Sequence, residues 1–141
     1  MVRDWVVLAL GSAVFAALTA ILAKMGIEGL SSNAATLIRT VVVLTFVTLL
    51  VGLRREWPHP QQLTQRNVLF LGLSGLATGA SWLCYYRALQ SGPASLVAPL
   101  DKLSLPLTLL LAMWMLGEHV TAGQWLGAIL MSGGALLIAF K

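Results

Sequence analysis

Long apolar runs separated by short polar knots organise this chain. They fall at roughly 5–24, 33–53, 67–90, 94–116 and 121–140. Each is long enough, at about 1.5 Å of rise per residue, to cross a hydrocarbon layer about 30 Å thick, and the spacing predicts five transmembrane helices. Polar punctuation supplies the ends. Ser31, Ser32 and Asn33 offer an N-cap to the second helix, Ser91-Gly92-Pro93 stops the third and starts the fourth, and Thr121 with Gln124 has capping-box spacing for the fifth. The one sizeable loop is RREWPHPQQLTQR, 54–66. The uncharged stretch from Trp5 to Ala23 is followed by another apolar segment instead of a cleavage site and a polar domain, so it is read as a helix and not as a cleaved signal.

Composition fixes the class. Of 141 residues 58% are hydrophobic and 10% charged, against about a quarter charged in soluble domains, and the mean hydropathy is +0.86. The expectation is an all-α integral membrane protein, a single transmembrane domain over 1–141 with the lipid bilayer as its solvent. The single cysteine, Cys84, lies in an apolar run and excludes an intrachain disulfide or a cysteine metal site. Net charge is +4, but the nine Lys and Arg are scattered along the chain without forming a basic face, which argues against nucleic acid as a partner. No motif calls for a cofactor.

Charges inside the apolar runs carry the functional signal. Between Arg39 and Arg54 the chain has only about 21 Å of helix, and 103–117 supplies about 22 Å, so Arg39, Asp101 and Lys102 must lie inside the membrane zone. With helices alternating in direction, these three come to one level, and Arg87 near the end of the third helix enters it with Trp82, Tyr85 and Tyr86. An ionisable group facing lipid is costly, so the layer is expected to face a protein interior or wet cavity. Successive residues point about 100° apart, which places Asp101 against Arg39 or Arg87 sooner than against Lys102. A permanent structural ion pair with snorkelling Lys and Arg is the competing reading.

Pro99 cannot donate to the Ser95 carbonyl, nor Pro106 to that of Lys102, so acceptors are freed on both sides of the charged pair. Such interruptions occur where backbone lines a transport cavity, and the two prolines are read as hinges. Gly75 and Gly79, and Gly123 and Gly127, form GxxxG spacings, and Ala13, Ala16, Ala17 and Ala20 form a small-residue stripe, all suited to close helix packing. Two further motifs carry no chemistry. Gly72-Leu73-Ser74-Gly75 resembles the GxSG of intramembrane serine proteases, but His59 and His119 fall on the far side from the charged layer. His119 beside Glu118 provides too few ligands for a metal. No nucleophile and base share one depth, so no enzyme is expected.

Orientation is nearly balanced. Arg3, Arg54, Arg55 and Arg66 stand on the side of the N-terminus; Lys24, Arg87 and Lys141 stand on the other. The bias favours a cytoplasmic 54–66 loop, and counting the buried Arg39 and Lys102 removes it, which permits insertion both ways. Trp5, Trp57, Trp114 and Trp125 belt the N-terminal side.

The runs AALTAILAKMGIEGLSSNAATLIRTVVV, WLCYYRALQSGPASLVAPLDKLS and MLGEHVTAGQWLGAILMSGGALLI together resemble one EamA domain of the drug/metabolite transporter superfamily. The resemblance rests on the charged end of the first helix, Arg39, Tyr86 to Leu89, Pro93-Ala94-Ser95, and Gly117-Glu118 before Gln124 and Gly127. Two departures stand out. Phe15-Ala16 replaces the family's Trp-Gly, and Ser104-Leu105 replaces its Glu-Pro, leaving Asp101, one turn earlier, as a stand-in for that acid.

The resemblance implies one half of an inverted-repeat, ten-helix transporter. A five-helix chain must then pair, with an antiparallel copy of itself as a homodimer or with a second half-transporter. It further implies an inner-membrane, multi-pass exporter of a small metabolite or drug-like solute, and the charged layer read from depth and charge gives the expected substrate pathway: Arg39, Trp82, Tyr86, Arg87, Asp101 and Lys102. The rival expectation is a non-transporting membrane assembly subunit.

Overall fold

The computed structural model describes residues 4–59 and 62–140. Arg3 and Lys141, which enter the charge comparison, lie outside them. The chain is all-helical: α1 (Asp4–Gly26), α2 (Ser32–Arg54), α3 (Gln65–Ser91), α4 (Ala94–Asp101), α5 (Ser104–Leu111) and α6 (Ala122–Phe140), with a π-helical turn at Ala112–Leu116 continuing α5. Counting Ala94–Leu116 as one interrupted span, five segments of 19 to 27 residues are long and apolar enough to cross a membrane. The expected five-span, all-α class is therefore met, with ends within a few residues of the predicted ones.

The caps explain those ends. Ser31 has extended backbone and its hydroxyl accepts from the Ala34 N–H at 3.2 Å, so of the three candidates it is the N-cap of α2. At α6 the Thr121 N–H donates to Gln124 Oε1 at 2.7 Å, and the Gln124 N–H to Thr121 Oγ1 at 3.3 Å, a reciprocal capping box. The fourth span ends at Gly117, whose φ of +68° suits a residue without Cβ, and the Glu118 N–H closes on the Ala112 carbonyl at 3.2 Å. Within the spans, the hydroxyls of Thr36, Thr40, Thr45, Thr78, Thr108 and Ser132 each donate to the carbonyl four residues earlier. That satisfies them in a medium without water.

The fourth span breaks between the two prolines. Pro99 sits inside α4, whereas the ladder tightens after it: Lys102 N–H donates to the Pro99 carbonyl and Leu103 N–H to that of Leu100, both at 3.0 Å. Pro106 has no N–H for the Lys102 carbonyl, and the Leu105 N–H takes it instead at 3.0 Å. The acceptor expected to be freed by Pro106 is thus recaptured by a bond one residue shorter.

The chain divides into two compact units, 1–24 with 91–141, and Met25–Gln90. In the first, α4 and α5 both pack on α6, whose Ala128 and Ala135 are buried. There the Lys24 ammonium, at the end of α1, donates to the Gly92 carbonyl at 3.0 Å. The second unit holds α2, α3 and the buried Ile27, Ala35, Thr36, Tyr86 and Leu89. Apart from the surrounding backbone of its own helix, nothing described stands within 4 Å of where a Cβ would be at Gly75, Gly79 or Gly127, and at Gly123 the nearest such atom is Thr121 Oγ1, just before its own helix, at 4.0 Å. The close approach that these GxxxG spacings permit is not used among the described residues of either unit.

Candidate functional site

In the Met25–Gln90 unit, α2 carries Arg39 about 10 Å inward from Ser32. On α3 the spacing of Trp82, Tyr86 and Gln90, four residues apart, lines them along one face. The Arg39 guanidinium stacks on the Trp82 ring, with Cζ 3.9 Å from its centroid, and lies 5.9 Å from that of Tyr86. Arg39 Nη1 also donates a long bond, 3.5 Å, to the Tyr86 hydroxyl. One turn further along, Gln90 Nε2 donates to the Leu30 carbonyl at 2.5 Å and ties the end of α3 to the chain just ahead of α2.

Tyr86 is buried, while Arg39 and Trp82 are half-buried. Arg39 has no acidic partner within 4.0 Å among the described residues. At the centre of a span an arginine costs at least about 2.5–3.5 kcal/mol, and less toward either end, where Arg39 lies about a third of the way along α2. A cation–π stack returns about 0.5–2 kcal/mol, so Trp82 offsets part of that cost and leaves a demand for negative charge or water. A guanidinium carries five N–H donors in its plane, and the indole covers a face and not that edge. The arrangement is chemically suited to receiving an anion.

Asp101 and Lys102 stand in the other unit, at the break in the fourth span. Lys102 Nζ is 3.8 Å from Asp101 Oδ2, and the side chains are 55% and 43% exposed, respectively. Asp101 thus has as an ion-pair partner the neighbour ranked last from sequence, because a lysine stem is long enough to fold back across the 100° between adjacent side chains. Arg87 follows Tyr86 on α3 with an exposed side chain. Gln90 was missed from the sequence, although its position four residues after Tyr86 marks it as part of the same stripe. Among the described residues no three His, Cys, Asp or Glu side chains gather as metal ligands.

Comparison with known proteins agrees with this architecture. The EamA-like transporter family matches residues 3–140. A protein of Sinorhizobium sp described as an "Uncharacterized transporter in cobO 3'region" is 49% identical over 139 residues, covering 99% of each chain. No solved structure matches. A family match over nearly all of a chain with five membrane-spanning segments identifies a multi-pass membrane transporter of small molecules and not an enzyme: the chain belongs to the EamA-like transporter family of the drug/metabolite transporter superfamily, as one five-helix domain.

Proposed function

We propose that the chain acts as half of a dimeric exporter, moving a small metabolite or drug-like solute out across the inner membrane by alternating access. The observation that carries this reading is Arg39: a guanidinium inside a membrane span, stacked on Trp82 and lacking an acidic partner among the described residues. Arg39 attracts the charged end of the solute, and Trp82 and Tyr86 meet its organic part. Arg87 adds positive charge near the end of α3. Asp101 with Lys102 provides a carboxylate able to exchange a coupling proton, and the interrupted span between Pro99 and Pro106 gives the fourth segment room to flex.

A second half is required because alternating-access transporters of this type place the pathway between two inverted repeats. The partner is an antiparallel copy of the chain or a separate half-transporter, and the open Gly75/Gly79 and Gly123/Gly127 faces are free to meet it. The pairing is tested with one cysteine appended after Lys141 in a Cys84→Ser background. A membrane-impermeant thiol reagent is applied to intact cells, with total sites counted after lysis. Labelling of about half the copies supports dual insertion and an antiparallel homodimer. Labelling of nearly all or nearly none eliminates the self-inverted dimer.

A further inference from the structure

We propose that Arg39, Trp82 and Tyr86 form a recognition site for a monocarboxylate, which makes the solute an organic acid; this rests on the transporter reading above and narrows its substrate class.

The stack decides where a ligand can approach. Trp82 lies 3.9 Å beneath the guanidinium and occupies one face, so the in-plane N–H fork is the part left to bind. A fork of parallel donors matches the two oxygens of a planar carboxylate, and a ligand ammonium has no acceptor to offer it. Among the described residues the fork's one hydrogen bond is from Nη1 to the Tyr86 hydroxyl, at 3.5 Å, near the limit for such a bond. Because that hydroxyl accepts from Arg39, its own proton remains available for the same anion. Tyr86 is buried, so its hydroxyl is held in place to complete a three-donor cradle.

Charge sets the valence. Within the stack of Arg39, Trp82 and Tyr86 the cation is Arg39, and Arg87 is exposed and turned about 100° from Tyr86 on α3, so a single negative charge balances the stack, whereas a phosphate monoester carrying about two charges at neutral pH leaves an excess within the membrane. A lipid phosphodiester is also a monoanion with two equivalent oxygens, and the test has to separate it from a solute carboxylate.

The full chain is placed in nanodiscs of zwitterionic lipid and titrated with benzoate, benzamide and benzylamine by calorimetry. The site predicts saturable benzoate binding, with benzamide and benzylamine weaker by about tenfold or more. Arg39→Lys retains the charge and loses the fork, and is expected to weaken benzoate about tenfold; Tyr86→Phe, about threefold to tenfold. Equal binding of benzoate and benzamide by the unaltered chain overturns the proposal, as does an Arg39→Lys chain of normal helicity that binds benzoate normally.

In discs containing phosphatidylglycerol, native mass spectrometry reads the lipid alternative. A retained phosphatidylglycerol that depends on Arg39 and is not displaced by benzoate overturns the proposal; displacement supports it. Proteoliposome flux of the same three probes keeps the two readings apart. Movement of benzylamine without benzoate binding removes the carboxylate site and leaves a transporter, while Arg39-dependent benzoate binding with no flux removes transport and leaves the site.

Discussion

The Arg39 guanidinium on α2 rests on the Trp82 indole on α3, 3.9 Å from Cζ to ring centroid. That relationship joins α2 to α3 and gives a charge within a candidate membrane span an aromatic face as its principal support, with Tyr86 beside it. Stability and the proposed recognition therefore meet at the same pair.

Trp82→Leu keeps an apolar side chain and removes the stack. Loss of about 0.5–2 kcal/mol is expected, read as a lower unfolding midpoint in detergent, with Trp82→Phe retaining part of the stability. An unchanged midpoint in Trp82→Leu means that water or lipid already supports the guanidinium.

The capping box at α6 makes an independent prediction. Thr121→Ala removes the acceptor for the Gln124 N–H, and Gln124→Ala removes that for the Thr121 N–H. Each is expected to cost about 1 kcal/mol, and the double variant less than twice that, because each side chain also donates to or accepts from the other. A double-mutant cycle by thermal unfolding measures the coupling; strict additivity contradicts it.

Gly117 and Gly75 should respond in opposite ways to alanine. At Gly117 the left-handed backbone, φ +68°, costs a side chain about 1 kcal/mol. At Gly75 the backbone is helical, a Cβ meets open space within the chain, and helix propensity favours the change by about 0.5–1 kcal/mol. Unfolding midpoints of the two variants, measured side by side, should move down and up, respectively.

Much of this was legible beforehand because a membrane imposes length on every span. Run lengths located the five segments, and the capped start of the second fixes Arg39 within a span. Ser31 and the Thr121–Gln124 pair were readable because capping depends on local spacing. Rotation about the helix axis was harder to read: depth follows from counting residues, but which ring meets Arg39 depends on how α2 and α3 face each other. Asp101 shows the same gap, since its contact with Lys102 depends on how a flexible lysine folds and not on the helical angle alone. The prolines announced an interruption, yet its place at Lys102–Leu103 follows from the Leu105 bond that recaptures the Lys102 carbonyl. Nothing in Ala112–Leu116 signals a π turn; it follows from how Gly117 closes the helix end.

Asp101→Asn separates a coupling role from a packing one. The change keeps the side chain's shape and removes its charge, so a proton-coupled exporter is expected to lose the stimulation of proteoliposome flux by an imposed pH gradient while still binding solute. Undiminished gradient-driven flux shows that Asp101 neither carries the proton nor supplies an ion pair essential to transport.

The most direct test of a solute pathway is aqueous access to residues that the membrane arithmetic places inside it. Single cysteines at positions 39 and 101, each in a Cys84→Ser background, are challenged in intact and permeabilised membranes with a small water-soluble thiol reagent. The pathway predicts labelling at both positions. Complete protection at both, in chains that retain their helicity, contradicts a wet pathway and makes the charges a permanent structural feature of a non-transporting assembly.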